Sequence, residues 1–354
     1  LRNPDQFSSA RGSDEQVLRG RSDIVLERVA PTGTLTMLDA DRPDHTRLRK
    51  LLAKDFTPSR LRGLAPHIQS LCDDLLSDVD HSDSFEVVRG LAEPLPVTII
   101  AELLGIPSQL WTQFKEWSDA ATEPVSPDAT DEAILKRNRQ IVEFREFLQA
   151  RIDERHDRPS EDFIGRLVAA HDSDSQLSDA EVLAGVNLLL LAGNETTTNL
   201  ISNAVLALAR FPDKQAQLRA EPELIEDAVE EFLRFDGSVQ FTVRDLRQPA
   251  VFHGQEIAAG ERVIILLASA NRDEEVFEHP DELNFHRPKD KHLGFGDWIH
   301  ICLGQFLARM ETSIALNTLL ATMPPFALAV PESEIIYRPN FNLRGPSYLP
   351  IRPL

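Results

Sequence analysis

Cysteine is nearly absent from the 354 residues: Cys72 and Cys302 are the two present. Two cysteines cannot build a disulfide framework, and they fit a reducing cytoplasm. Basic residues are outnumbered by acids, 37 Lys and Arg against 57 Asp and Glu, for a formal net charge of -20. That balance argues against nucleic acid as a main partner. No run of 18 apolar residues occurs, and the richest stretch, Val186 to Ala192, is interrupted by Asn187 and stops at Gly193. No membrane span is expected from such a pattern. No charged-then-apolar leader opens the sequence, so no secretory signal is visible and the expected location is the cytoplasm. Low-complexity linkers and internal repeats are also missing. The length alone leaves room for two or three domains, but no boundary is visible along residues 1–354.

What is present is mainly helical periodicity. The apolar spacing predicts helices near 44–54, 64–77, 97–104, 108–121, 130–154, 161–170, 178–210, 222–235 and 303–323. Strand-like runs are short: Ala250–Phe252 with Gln255–Ile257, Arg262–Ala268, Phe326–Val330 and Tyr348–Ile351. The predicted class is mainly α with a minor β region. With 42% hydrophobic residues the chain can bury a large core.

The segment 178–210 is the most informative helix. Ser178 and Glu181 form a capping-box pattern at its start. The residues that follow hold no proline until Pro212, so the predicted helix runs roughly 50 Å. Its middle reads LLLLAGNETTTN, where an apolar run gives way to Gly193, Asn194, Glu195 and three threonines. Glycine weakens a helix interior by about 1 kcal/mol relative to alanine, and threonines there can bend a helix by bonding back to carbonyls. On residues alone two readings are equal: a helix crossing with polar cross-links, or a groove for a ligand beside an acid and an alcohol.

Residues 41 to 63 run against the global charge, with seven Lys or Arg and three acids. An isolated stretch of this kind reads first as a solvated helix face.

Cys302 lies where the last long helix is predicted to begin, in FGDWIHICLGQFLAR, residues 295 to 309. A helix N-terminus favours negative charge, so the sulfur is expected to lean toward thiolate. Zinc would need further ligands beyond His300 and Cys302. A nucleophile would need a base and an oxyanion site. An axial thiolate to haem iron needs one cysteine and a loop that brings amides near the sulfur.

The stretch FGDWIHICLG resembles the haem-binding loop of the cytochrome P450 family, F-G-x-G-x-H-x-C-x-G. Phe295, Gly296, His300, Cys302 and Gly304 match, and Trp298 stands where the family has glycine. Ala192-Gly193-Asn194-Glu195-Thr196 matches A-G-x-[DE]-T, Glu231 and Arg234 match E-x-x-R with Arg287 as the third member of the charge cluster, and His45 with Arg49 match H-x-x-x-R. The similarity covers nearly the whole chain and is to the soluble bacterial branch. It implies a single P450 catalytic domain over 1–354, lacking the few tens of residues that members usually carry before NPDQFSSA.

The resemblance further implies haem b with iron on Cys302. His45, Arg49, Arg244 and His300 would serve its propionates, and Phe295, Gly296, Gly304, Ala192 and Gly193 would line it. Glu195 and Thr196 would handle proton delivery to dioxygen. The implied activity is a monooxygenase acting on a small, mainly apolar organic substrate with O2. Electrons would come from a ferredoxin or flavodoxin with its reductase, because no flavin or iron–sulfur motif is present. Under the family arrangement the basic helix around Arg47, Arg49 and Lys50 would dock that partner. Pocket walls are expected at Val29 to Met37, 108–130, Leu188 to Ala192, Val239 to Thr242 and Phe341. A thiolate-haem peroxygenase or isomerase, and a haem-binding relative without turnover, are the alternatives. Cys72 and His67 are expected to be a buried packing residue and a surface histidine.

Overall fold

The computed structural model describes residues 2–10, 26–31, 33–79, 83–122, 125, 128–174, 177–288 and 292–354. The helices are α1 (Asp44–Leu52), α2 (Pro58–Leu61), α3 (Ala65–Leu76), α4 (Pro94–Leu103), α5 (Trp111–Thr122), α6 (Asp131–Asp157), α7 (Phe163–Asp174), α8 (Asp179–Gly193), α9 (Glu195–Arg210), α10 (Pro212–Ala220), α11 (Ile225–Asp236), α12 (Leu267–Ala270) and α13 (Gln305–Thr322). The strands are β1 (Phe7–Ser8), β2 (Phe85–Glu86), β3 (Phe241–Leu246), β4 (Ala250–Phe252), β5 (Gln255–Ile257), β6 (Arg262–Leu266), β7 (Phe326–Leu328), β8 (Ile336–Tyr337), β9 (Pro346–Tyr348) and β10 (Pro350–Pro353).

Local chemistry accounts for the long helices. The Thr130 hydroxyl caps α6 by accepting from the Ala133 amide at 3.2 Å, with Asp131 and Glu132 in the first turn and Arg155 and His156 in the last. Charges of those signs suit the two ends of the helix dipole. Ile141, Phe144, Leu148 and Ile152 put one face of α6 into the core. There Phe144 meets Phe114 edge-on at 6.0 Å and stacks on Trp117 at 5.6 Å. At the start of α8 the expected capping box is made in full: the Ser178 amide donates to Glu181 Oε2 at 2.8 Å, and the Glu181 amide to Ser178 Oγ at 3.2 Å.

α9 is the structural axis, buried over nearly its whole length and packed against α11, α13, α4 and α10. The expected single helix over 178–210 is two: α8 ends at Gly193, and α9 starts at Glu195 with Asn194 at φ -82°, ψ -73° between them. The sheets are small. β3 pairs antiparallel with β1 on one side and β6 on the other, Phe241 opposite Leu266. β10 joins β2 to β7. The run Arg262–Ala268 is strand only to Leu266, after which α12 begins. No helix among the described residues is long and apolar enough to cross a membrane.

The charge cluster Glu231–Arg234–Arg287 is interior. Arg234 is fork-bonded to Glu231 through Nε and Nη2, both at 2.7 Å, and Arg287 Nε donates to Glu231 Oε1 at 3.2 Å. The remaining Arg234 donors meet the carbonyls of Asn271, Pro280 and Glu282 at 3.0, 2.8 and 3.1 Å. This knot ties α11 to the irregular chain that leads into the Cys302 loop.

Candidate active site

The loop that carries Cys302 is a tight hairpin. The Cys302 amide donates to Phe295 O at 2.8 Å, and the Gly296 amide donates to Leu293 O at 2.9 Å, with Gly296 at φ +70°. Behind it, Arg309 lies 4.4 Å over the Phe295 ring and pairs with Glu230, which also takes His292 at 2.8 Å. Arg309 and the bond from His292 hold the Glu230 carboxyl down at about 2 against the opposing effect of burial. Leu293 is pinned by its amide on Asn271 Oδ1 at 2.7 Å.

Cys302 precedes α13 by three residues, and Gly304 is the N-cap. The expected lowering of its thiol pKa is overturned. Burial pushes the thiol up, while the amides of Gly304 and Gln305 and the charges of Arg49 and Arg309 act in the opposite direction. The helix start points donors at the sulfur as anticipated, but removal from water outweighs them. A sulfur so placed ionises readily only when a cation sits on it.

Around Cys302 the expected anion-binding side chains do converge. The His45 and His300 rings lie 4.4 Å apart. His300 is pushed down to about 4 by burial and by the positive charges of His45 and Arg244, with Arg49 adding to them. His45 is lowered by burial and by Arg49 and Arg42. Both ring nitrogens of His45 are buried without a hydrogen-bond partner of good geometry among the described residues, although the Ile299 carbonyl lies close. Arg244 donates to Val243 O at 2.7 Å and to Thr242 Oγ1 at 3.0 Å, and it is 8% exposed. Burial also depresses Arg49, while the nearby Cys302 raises it. The group is a dehydrated patch of positive potential that calls for anions.

Sequence reasoning missed three members of this site. Ser9 Oγ meets His300 Nε2 at 2.9 Å, the Ser9 amide donates to Asp41 Oδ1 at 2.9 Å, and Arg247 closes on Asp41. Asp41 is thereby engaged by its own donors. With Ser9 and His300 separated by 291 positions in sequence, no local pattern signals the contact.

On the opposite wall, the break at Asn194 exposes Ala192. Thr196 Oγ1 donates to Ala192 O at 2.6 Å, spanning the break. Gly193 lies against α4, where an added Cβ would stand 2.7 Å from Ile100 Cδ1. Asn194 Nδ2 donates to the buried Ser118 Oγ of α5 at 3.0 Å. The break is therefore held from behind by α4 and α5. Glu195 is buried at 8% exposure at the start of α9.

The expected pocket walls come together in two sets. Leu35, Met37, Leu48, Leu52 and Leu188 line one small apolar cavity. Val239 bridges to Leu343, and Phe341, 87% exposed, stacks on Phe241 at 5.5 Å. Parts of 11–25 and 123–127, and Thr32, fall outside the described residues, so the walls expected at Val29 to Met37 and 108–130 are described only in part.

The basic helix needs a correction. Arg47 is paired with Glu181 at 2.5 Å, and Arg49 is half-buried near Cys302, so both are already engaged within the protein. The exposed cations of this stretch are Arg42, Lys50, Lys54, Arg60 and Arg62. Cys72 is fully buried as expected, its thiol pushed up to about 12 by burial, and His67 pairs with Glu102 at 2.6 Å on the surface.

Trp298 holds the left-handed conformation that glycine takes without penalty, at φ +54°, with its amide on Asp297 Oδ1 at 2.8 Å and its indole 45% exposed. Alanine and glycine both remove the indole, but only alanine keeps the strain. Trp298→Gly is therefore expected to be about 1 kcal/mol more stable than Trp298→Ala. Paired thermal melts check this, and equal stability would mean that the loop relaxes out of the left-handed region.

Residues 2–336 match the profile of the family Cytochrome P450. The chain is 38% identical over 315 residues to cytochrome P450 CYP107DY1 of Priestia megaterium, covering 89% of this chain and 76% of that protein. It is 39% identical over 320 residues to the cytochrome P450 monooxygenase PikC of Streptomyces venezuelae, covering 89% and 75%. The solved structure of CYP109Q5 from Chondromyces apiculatus superposes with a TM-score of 0.85 at 33% identity, over 99% of this chain and 85% of that one. The chain belongs to the cytochrome P450 family and is a P450 monooxygenase of bacterial type.

The residues present fit the haem that this family uses. A buried imidazole whose nitrogens find no well-aligned partner among the described residues, beside His300, Arg49 and Arg244, suits two propionate carboxylates. A half-buried thiol near the Gly304 and Gln305 amides and the Arg49 and Arg309 guanidinium groups suits a ferric or ferrous centre.

Proposed function

We propose that the chain hydroxylates or epoxidises a small, mainly apolar organic substrate, with Cys302 as the residue that would bind the iron of haem b. His45, Arg49, Arg244 and His300 hold the propionates, while Phe295, Gly296, Gly304, Ala192 and Gly193 frame the ring. Bound haem supplies dioxygen activation, and a thiolate ligand favours O–O cleavage. The chain's own residues do the rest. The amides of Gly304 and Gln305 steady the sulfur, and Arg309 over Phe295 holds the loop that carries it. Glu195 supplies protons, and the Thr196 hydroxyl, now on Ala192 O, turns to hold water or the oxygen substrate at the open turn.

The observation that carries this reading is the break at Asn194, which sets a buried acid and an alcohol bonded to Ala192 O beside an exposed turn. An apolar substrate is supported by the leucine-lined cavity and by the Phe241–Phe341 stack. Electrons arrive from an acidic ferredoxin or flavodoxin with its reductase. Support comes from α1 and its continuation, where Lys50, Lys54 and Arg60 face outward on the segment whose inner face carries His45 and Arg49. The two free cysteines are in keeping with turnover in a reducing cytoplasm.

Glu195→Gln and Thr196→Ala test the assignment. Glu195→Gln is expected to slow product formation by about 10²-fold. Thr196→Ala is expected to keep reductant consumption while diverting it to peroxide. Unchanged product per reductant in both variants would contradict the roles given to them.

A further inference from the structure

Glu195, Asn199 and Asn203 stand at i, i+4 and i+8 on α9 and so share one helix face. All are buried, at 8%, 0% and 2% exposure. The other buried positions of α9 are Thr197, Thr198, Ser202 and apolar residues, among them Leu200, Ile201, Ala204, Val205 and Leu208. Asparagine is a weak helix former and a poor core residue, so the stripe calls for an explanation.

Its hydrogen bonds are incomplete. Asn203 Nδ2 donates to Asp236 O at 2.9 Å and to Arg344 O at 3.0 Å, but its Oδ1 has no partner among the described residues. Asn199 has no such partner at either Oδ1 or Nδ2. It lies against Gly345, where an added Cβ would stand 2.1 Å from Oδ1. Ser238, whose carbonyl accepts from the Arg344 amide at 2.8 Å, has a buried hydroxyl without a partner among the described residues. Buried polar atoms are nearly always satisfied, and ordered water is the usual partner when protein is not. Side chains four apart on a helix stand about 6 Å from one another at Cβ, which suits one water between their polar ends. The outer end of the stripe is at the surface, where Asp236 pairs with Arg344 at 3.3 Å and the Arg344 side chain is 41% exposed. Burial raises the Asp236 carboxyl, which leaves a group there that can take up a proton.

We propose that waters held by Asn199, Asn203 and Ser238 form a buried proton path from the Asp236–Arg344 surface to Glu195. This rests on the reading of Glu195 as the proton donor. Monooxygenation consumes one proton for each electron supplied, because one oxygen atom leaves as water. Each consumed proton is replaced from bulk solvent at the outer end. Every water in the file passes one proton inward and accepts one from outside, so the file is unchanged. Glu195 gives its proton toward the reacting oxygen and takes the next from the innermost water. The asparagine amides orient water and transfer no proton themselves.

A crystal structure of the haem-loaded protein is expected to show ordered water within hydrogen-bond reach of Asn199 and Ser238 Oγ. In Asn199→Leu that water is lost, product per reductant falls at least about threefold, and the solvent isotope effect on product formation rises. Asn199→Ser, which leaves room and a hydroxyl, restores most of both. A dry site overturns the path, and so does an Asn199→Leu protein with unchanged isotope effect and coupling. Glu195→Gln, measured in parallel, separates the two ideas. If it is impaired while Asn199→Leu is silent, only the water path fails. If Glu195→Gln is itself silent, the role of Glu195 fails and the path with it.

Discussion

Replacing Arg234 by methionine is expected to lower unfolding stability by about 3–5 kcal/mol, measured by denaturant titration. In sequence the pair Glu231–Arg234 is a spacing common on exposed helices, where it would contribute under about 1 kcal/mol. The structure decides between these magnitudes. Both side chains are almost fully buried, at 3% and 1% exposure, and the guanidinium also serves three backbone carbonyls. Methionine keeps much of the volume but leaves the Glu231 carboxylate with Arg287 and the Asn284 amide as its remaining donors. It also releases the carbonyls of Asn271, Pro280 and Glu282. Lysine cannot rescue the site, because one ammonium cannot reproduce the fork. A loss of under about 1 kcal/mol would show that the knot is wetter than its burial indicates.

Glu311→Gln should act in the opposite direction, and only above acidic pH. Glu311 sits on α13 at 2% exposure with Oε1 unpartnered among the described residues, and burial pushes its carboxyl up to about 8. A raised carboxyl means that the folded protein keeps a proton which the unfolded chain sheds above its ordinary value of 4.5. Its contribution is therefore fully present below pH 4.5, declines as pH rises, and is lost once pH passes about 8. Each pH unit in that window is worth about 1.4 kcal/mol. Glutamine is neutral throughout and removes this slope. The variant should match the parent near pH 4.5 and exceed it by an amount on the order of 3 kcal/mol at pH 7. Chemical unfolding at a series of pH values checks this. A stability difference that stays flat from pH 5 to 8 would mean that Glu311 is charged in the folded state.

Much of this protein was legible in its sequence. The capping box at Ser178 and the helical periodicity of α6 follow from local rules, and the structure realises both, whereas the F-G…H-x-C loop was legible through family resemblance. The break at Asn194 was half legible. Gly193 and the threonines signal a weakened helix, but the clamp that sets its place comes from Ile100 and Ser118, residues of other helices. Arg47 and Arg49 misled because periodicity gives a face without saying what covers it. Glu181 claims one, and the Cys302 site claims the other. β3 was missed because FTVRDL is too short and too polar to stand out, and its pairing with β1 and β6 is long-range. Cys302 shows a similar limit: the helix start is visible in sequence, but the burial that raises its thiol is not.

The central claim is that Cys302, in its cradle of His45, Arg49, Arg244 and His300, binds haem iron as a thiolate. The carbon monoxide difference spectrum of the reduced, haem-loaded protein tests it most directly. The account predicts the strongly red-shifted Soret band of thiolate ligation, lost in Cys302→His. A wild-type spectrum of the imidazole type, or one that Cys302→His leaves unchanged, would contradict it.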